Sequence, residues 1–202
     1  MGARDGGGMF QDLDATLAAL LEGEISLRGI AISFASPDDR FPPAGVSLPA
    51  IAMFLYDVRE NHDLRTNQWE TARRGDGTVT RRRAPARVDC SYLITAWPNE
   101  HAPQPTEDEH RLLGEVVRVL MRHREVPERY LSGELAGQQP PLRGRVTADS
   151  HLQSVGEFWQ AMGGRPKATL HYRVTLSVDA FEPIEVAPAP TDKVLRVGTR
   201  KS

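Results

Sequence analysis

The chain has 202 residues, of which 40% are hydrophobic, and its formal net charge at pH 7 is -2. A chain of this length can bury roughly 70% of its unfolded surface, so we expect one domain with a substantial core. The slightly acidic balance provides no global basic field, so neither nucleic acid nor an anionic membrane surface is expected as a partner.

The single cysteine, Cys90, lies in an apolar run. It excludes an intramolecular disulfide framework and is typical of a protein in the reducing cytoplasm. No stretch approaches the ~20 apolar residues that span a bilayer, and residues 1–8 are glycine-rich where a signal peptide would be apolar. We therefore expect a soluble, cytoplasmic protein. Residues 1–8 are expected to be disordered, and Met9 is an alternative start.

The first third of the chain predicts one helix and two strands. Apolar residues at helical spacing from Phe10 predict an amphipathic helix that stops at Gly23. Residues 30–34 predict a short strand, and the Pro- and Asp-rich residues 36–43 predict a surface loop. Both alternating sets of residues 50–58 are apolar, which predicts a strand covered on both faces.

A solvated hairpin is predicted next. The polar residues 62–70 and 78–82 flank residues 75–77, whose two glycines readily supply the positive φ of a tight turn. Residues 87–97 alternate again and end before Pro98, which cannot donate to a strand ladder. This stretch predicts a second core strand.

The following segment predicts a well-marked helix. Thr106 and Glu109 have the spacing of a capping box, and Pro127 prevents much continuation. Its apolar stripe consists of Leu112, Val116, Val119 and Leu120. Residues 132–144, rich in Gly, Pro and Gln, predict a long loop.

The last third predicts a short helix and a strand. Ser154 and Glu157 repeat the capping-box spacing, and residues 168–181 show the period-two pattern of a strand with one buried face. The domain is expected to span residues 9–182, followed in 183–202 by a Pro/Ala spacer and a basic C-terminal arm. Because the elements do not alternate strictly as strand and helix, we predict an α+β fold with a mixed, largely antiparallel sheet.

No catalytic, cofactor-binding or metal-binding residues are predicted. The sequence lacks a phosphate-binding glycine loop, a G-x-S-x-G elbow and a Cys-x-x-Cys pair. Glu107 and His110 form an i,i+3 pair, but a carboxylate-bridged metal site needs a second such pair and further glutamates. Glu107 is better explained as a favourable charge near a helix N-terminus.

Two basic segments are candidate partner-binding sites. The hairpin arginines could meet an acidic partner surface or simply protect a solvated sheet edge. They are Arg73, Arg74, Arg81, Arg82 and Arg83. The C-terminal segment could add a strand to an exposed sheet edge, or it could be a disordered tail without a role. Its residues are Lys193, Val194, Leu195, Arg196 and Val197.

Four ordered segments carry a family resemblance. They are residues 55–61 (Leu-Tyr-Asp-Val-Arg-Glu-Asn, followed by Leu64-Arg65), 92–97 with 109–114 of the next helix, 157–163, and 172–176. Together they resemble the tail-terminator, or cap, proteins of antifeeding-prophage-like and virulence-cassette-like contractile injection systems. The resemblance covers residues 9–181, whereas the glycine-rich N-terminus and the basic C-terminus lie outside it.

The resemblance implies an α+β fold and a mechanical role. A homo-hexameric ring would end the inner tube and the outer sheath, so the expected partners are other copies of the chain and the sheath and tube proteins. One alternative is a baseplate or other adaptor protein of the same particle. A further alternative is a small metal-dependent hydrolase that uses Glu107, Asp108 and His110.

Overall fold

The computed structural model describes residues 8–73, 78–147 and 154–186. The helices in this part are α1 (Met9–Glu24), α2 (Pro105–Arg122) and α3 (Val155–Ala161). The strands are β1 (Ala31–Ser33), β2 (Ala50–Glu60), β3 (Trp69–Arg73), β4 (Val79–Arg83), β5 (Ala86–Trp97), β6 (Arg143–Val146), β7 (Leu170–Val178) and β8 (Ile184–Val186). None of the helices in these ranges is both long and apolar enough to cross a membrane.

A five-stranded sheet in the order β1-β2-β5-β7-β6 forms the centre of the molecule. β1 pairs with β2 in parallel, and the other neighbours are antiparallel. The predicted α+β class and the mixed, largely antiparallel sheet are therefore confirmed. The central strand β2 is buried from Ala50 to Met53 and β5 from Cys90 to Ala96, whereas the other end of each strand carries charged residues.

The main core lies between one face of this sheet and the helices α1 and α2. The alternating buried set of β5 and β7 faces the helices, as the period-two patterns predict. The predicted α2 stripe is buried as a whole, and α1 contributes four fully buried leucines. The α1 leucines are Leu13, Leu17, Leu20 and Leu21.

The second face of the central sheet is covered over part of its area by α3. Phe158 of α3 packs on Phe54 of β2, with ring centroids 6.3 Å apart, and Trp159 is buried beside it. Ser154 caps this helix, because its Oγ accepts a hydrogen bond from the Glu157 amide at 3.2 Å. β2 is fully buried only over its first four residues, so the predicted double cover holds for these four of its 11 residues.

The ends of both long helices differ from the sequence prediction. α2 begins at Pro105, in the first helical position where a missing N–H costs nothing, and Thr106 therefore does not cap it. Glu109 instead accepts a bond from Lys167 Nζ at 2.5 Å.

α1 continues past Gly23, where a Cβ atom would lie 2.7 Å from the Tyr130 hydroxyl. Gly23 thus permits close packing and does not terminate the helix.

Two predicted loops contribute to the core. In residues 36–43, Phe41 is buried, and its ring centroid lies 4.5 Å from that of Trp97. In residues 132–144, Leu135 and Leu142 are buried, and the last two residues begin β6. The predictions of a surface loop and of a long loop were wrong at these positions. Phe41 packs against the distant Trp97, and residues 143–144 pair with the distant strand β7.

The predicted hairpin is present in β3 and β4, which pair antiparallel from Trp69–Arg83 to Arg73–Val79. Its turn, residues 74–77, lies outside the described residues. β8 pairs with β4 on the other side and completes a three-stranded sheet, called the small sheet below. The predicted Pro/Ala spacer therefore begins with a strand.

Candidate partner-binding surface

The small sheet has two chemically different faces. Because directly paired residues lie on the same face, the register places Trp69, Thr71, Arg81 and Arg83 together on one face, with Ile184 opposite Arg81. We call this the outer face. The opposite, inner face carries the paired residues Glu70 and Arg82 and the paired residues Thr80 and Glu185.

Two arginines of the outer face share one aromatic ring. The guanidinium carbons of Arg81 and Arg83 each lie 5.4 Å from the ring centroid of Trp69. Arg83 also lies 5.3 Å from the ring of Phe181. Cation–π contact orients these side chains while leaving their charge available to another group. Both arginines are exposed and have no ion-pair partner within the described residues.

Large apolar side chains surround these arginines. Trp69 is 39% exposed, Phe181 42%, Ile184 56% and Val186 37%. Neighbouring exposed apolar residues of this size on one sheet face are typical of a surface that contacts another protein. Aromatic residues and arginine are also the types enriched in protein interfaces. The outer face therefore has the composition of a docking surface.

Arg82 has a different role, because it points to the inner face. Its Nη1 donates to Asp179 Oδ2 at 2.9 Å, and its Nη2 lies 3.5 Å from Glu70 Oε2. Asp179 follows the end of β7, so Arg82 links the hairpin to the central sheet. The structure thus divides the predicted arginine set into two outward residues and one inward, paired residue.

The remaining predicted partner-binding residues are only partly described. Arg73 ends β3 opposite Val79, whereas Arg74 lies outside the described residues. The same holds for the whole C-terminal segment 193–197, whose role in partner binding stays a prediction. The sequence analysis did not include Trp69, Phe181 and Ile184. The apolar–charged–apolar alternation of β8, Ile-Glu-Val, was the available signal for the outer face, but this segment was interpreted as spacer.

The residues considered for metal or covalent chemistry do not assemble into a site. Glu107 and His110 are exposed on α2, and Asp108 forms an ion pair with Arg111. No group of three His, Cys, Asp or Glu side chains in the described part of the chain could hold a metal ion. Cys90 is fully buried, and burial raises the pKa of its thiol to about 12. The thiolate form required of a nucleophile is therefore suppressed.

Solved structures share this fold, among them the following two. A PVC sheath/tube terminator in the extended state, from an extracellular contractile injection system, matches with a TM-score of 0.69 and 24% identity over 98% of this chain. The anti-feeding prophage cap, a tube-terminating cap, matches with a TM-score of 0.57 and 24% identity over 97% of this chain. The chain spans 66% and 62% of these two proteins, respectively.

No curated protein sequence matches the chain. The model of the Pvc16 N-terminal domain family matches residues 12–193, which include most of α1, all of α2 and α3, and both sheets of the part that the structure describes. This match covers most of the chain, and it agrees with the resemblance carried by the four sequence segments. The chain therefore belongs to the Pvc16 N-terminal domain family.

Proposed function

We propose that this protein is a structural cap that ends the inner tube and the sheath of a contractile injection system. The observation that carries the proposal is the agreement of fold with a sheath/tube terminator over 98% of the chain, at a TM-score of 0.69. Membership of the Pvc16 N-terminal domain family and the likeness to a tube-terminating cap support it. In this role the protein assembles in the cytoplasm as a homo-hexameric ring and needs no catalytic group or cofactor.

The outer face of the small sheet is the proposed contact with the particle. Its two arginines and four exposed apolar side chains complement a partner surface that is acidic and partly apolar. Burying Trp69 and Ile184 against a partner would stabilise the complex at about 25 cal/mol per Å² of apolar area removed from water. The arginines would add charge complementarity, which selects partner and orientation.

Deleting the gene tests the cap function directly. A polymer without a terminator has no defined end, so sheath–tube assemblies from the deletion strain should have an abnormal or broad length distribution. Negative-stain electron microscopy measures these lengths, and the intact gene supplied in trans should restore them. A normal length distribution in the deletion strain would contradict the proposal.

The position of the protein in the particle separates a cap from a baseplate adaptor. A compact label fused to the protein should appear in electron micrographs at the end of the particle opposite the baseplate. Label at the baseplate end would contradict the cap function and support a baseplate adaptor.

A further inference from the structure

An open cleft of about 1700 Å³ is lined by residues of both sheets. The inner face of the small sheet contributes Glu70 and Arg82, and the polar face of β7 contributes Thr175 and Ser177. The charged lining consists of six arginines and four carboxylates. The arginines are Arg82, Arg87, Arg124, Arg143, Arg145 and Arg173. This excess of positive charge is opposite in sign to the formal charge of the chain, which is -2.

One arginine of the cleft has an N–H group without an acceptor. Arg87 Nη1 donates to Ser177 Oγ at 2.6 Å, but its Nε is buried and has no hydrogen-bond partner within the described residues. Asp89, the nearby carboxylate, already accepts bonds from Asn61 Nδ2 at 3.0 Å and Thr175 Oγ1 at 2.7 Å. A buried guanidinium N–H without an acceptor costs free energy. Arg87 as a whole is partly exposed and lines the cleft, so an anion bound there would compensate the charge of its guanidinium.

Further arginines continue the same face toward the sheet edge. The register places Arg143 opposite Thr175 and Arg145 opposite Arg173 on the short edge strand β6. Arg145 is exposed and has no ion-pair partner in the part of the chain that the structure describes. Arg143 is 71% exposed at its side chain and lies 3.2 Å from the carboxylate of Glu125. Positive charge is thus concentrated where the cleft opens to solvent.

We propose that this cleft binds an acidic segment of a protein partner. The planar guanidinium group matches a carboxylate with two parallel hydrogen bonds, and several arginines on one face can bind successive carboxylates. The volume exceeds the ~300–1000 Å³ of typical small-molecule pockets, so an extended peptide fits its size better. The four carboxylates of the lining interrupt the continuous basic track that a nucleic-acid backbone requires, which favours a protein segment.

This binding site is independent of the docking surface proposed above. The cleft lies on the side of Arg82, whereas Trp69, Arg81 and Arg83 face away from it. A variant in one surface should therefore leave binding at the other intact. A cleft variant that no longer binds the peptide but still caps particles would show that the two surfaces act separately.

Fluorescence anisotropy of the full chain with a fluorescein-labelled oligoglutamate peptide tests the proposal. The protein should bind the peptide at low salt, and binding should weaken as salt screens the charges. Removing two exposed arginines with Arg143→Gln and Arg145→Gln should weaken binding about tenfold or more. Arg87→Lys, which keeps the charge but removes the planar guanidinium group, should weaken binding by a smaller factor.

The matched control is Arg111→Gln with Arg118→Gln, because both are exposed arginines on α2 outside the cleft. This control should bind the peptide within about twofold of the unmodified protein. An equal loss in the control pair, or no peptide binding by the unmodified protein, would overturn the proposal. Tighter binding of an oligothymidylate of the same charge would overturn the choice of a protein segment over nucleic acid. Melting temperatures verify that each variant is folded.

Discussion

At the scale of single residues, two buried tyrosines differ in whether their hydroxyl group forms a hydrogen bond. Tyr92 and Tyr172 are direct cross-strand neighbours in β5 and β7, and both are fully buried. Tyr92 donates to Asp14 Oδ1 at 2.8 Å, whereas the Tyr172 hydroxyl has no partner within the described residues. Burial raises the pKa of Asp14, so its carboxylate depends on this bond.

The pair predicts opposite effects of the same substitution. Tyr92→Phe should lower the free energy of unfolding by about 1–3 kcal/mol, because it leaves a part-buried carboxylate without its donor. Tyr172→Phe should be neutral or stabilising by up to about 1 kcal/mol, since it removes an unsatisfied hydroxyl. Urea unfolding measures both variants. A larger loss in Tyr172→Phe than in Tyr92→Phe would contradict the assigned hydrogen bonds.

Glu24 should make stability depend on pH. Its Oε1 accepts bonds from the Tyr130 hydroxyl and from Arg129 Nη2, each at 2.8 Å, and its Oε2 lies 3.1 Å from His123 Nε2. The hydrogen bond from Tyr130, followed by the close approach of His123 and the hydrogen bond from Arg129, lowers the pKa of Glu24 to about 2. Because this value lies below the ordinary 4.5, the contribution is complete above pH 4.5 and is lost as pH falls toward about 2.

Glu24→Gln should therefore melt at a lower temperature than the unmodified protein near neutral pH, and the difference should shrink between about pH 4.5 and about pH 2. Thermal unfolding over this range measures it. Glu22→Gln is the control, because Glu22 is exposed on the same helix and makes none of these contacts. A difference for Glu24→Gln that stays constant with pH would show that its charge does not contribute.

At the scale of elements, β8 should stabilise the hairpin. A chain that ends after Pro183 loses β8 and leaves β3 and β4 as a two-stranded ribbon, which is marginally stable in water. A chain that ends after Val186 keeps all three strands. Hydrogen exchange should be faster in β3 and β4 of the shorter chain, with little change in β5. Equal exchange in the two truncated chains would mean that β8 does not support the hairpin.

The two faces of β4 should respond differently to charge reversal. Arg81→Glu with Arg83→Glu should abolish capping of purified sheath–tube particles while the protein stays folded, because both side chains lie on the outer face, where they contact Trp69 and Phe181. Arg82→Glu is the matched control. It should preserve capping and cost somewhat more than the about 0.2–1 kcal/mol of an exposed ion pair, since it also places a third carboxylate beside Asp179 and Glu70. If the double variant still caps particles at raised salt, the outer arginines do not bind the partner and only increase solubility.

At the scale of the whole molecule, the proposed ring predicts a defined mass. Light scattering of the purified protein should give a species with six times the mass of one chain, in equilibrium with smaller species on dilution. Electron microscopy of the same sample should show closed rings. Protein that stays monomeric and never joins assembled particles would overturn the ring.

Much of the fold was predictable because its signals are local. The stripe of α2 and the alternation of β7 each depend on residues within one element, and both predictions are confirmed. Residues 55–61, one of the four segments that carry the family resemblance, also stabilise the fold. Asn61, for example, accepts a bond from the Leu64 amide at 3.1 Å and donates to Asp89. The family resemblance therefore predicted the fold without identifying which residues contact a partner.

The sequence by itself determined the fold class, the helices and the long strands, because hydrophobic periodicity is set by residues close in the chain. Only the tertiary structure decided the roles of the short segments. β6 and β8 are three or four residues long, and each forms a strand because a distant strand offers it a free edge. The same pairing turns Arg82 inward and Arg81 outward, since alternate residues of one strand face opposite sides. A sequence pattern alone does not specify which of those sides another sheet covers.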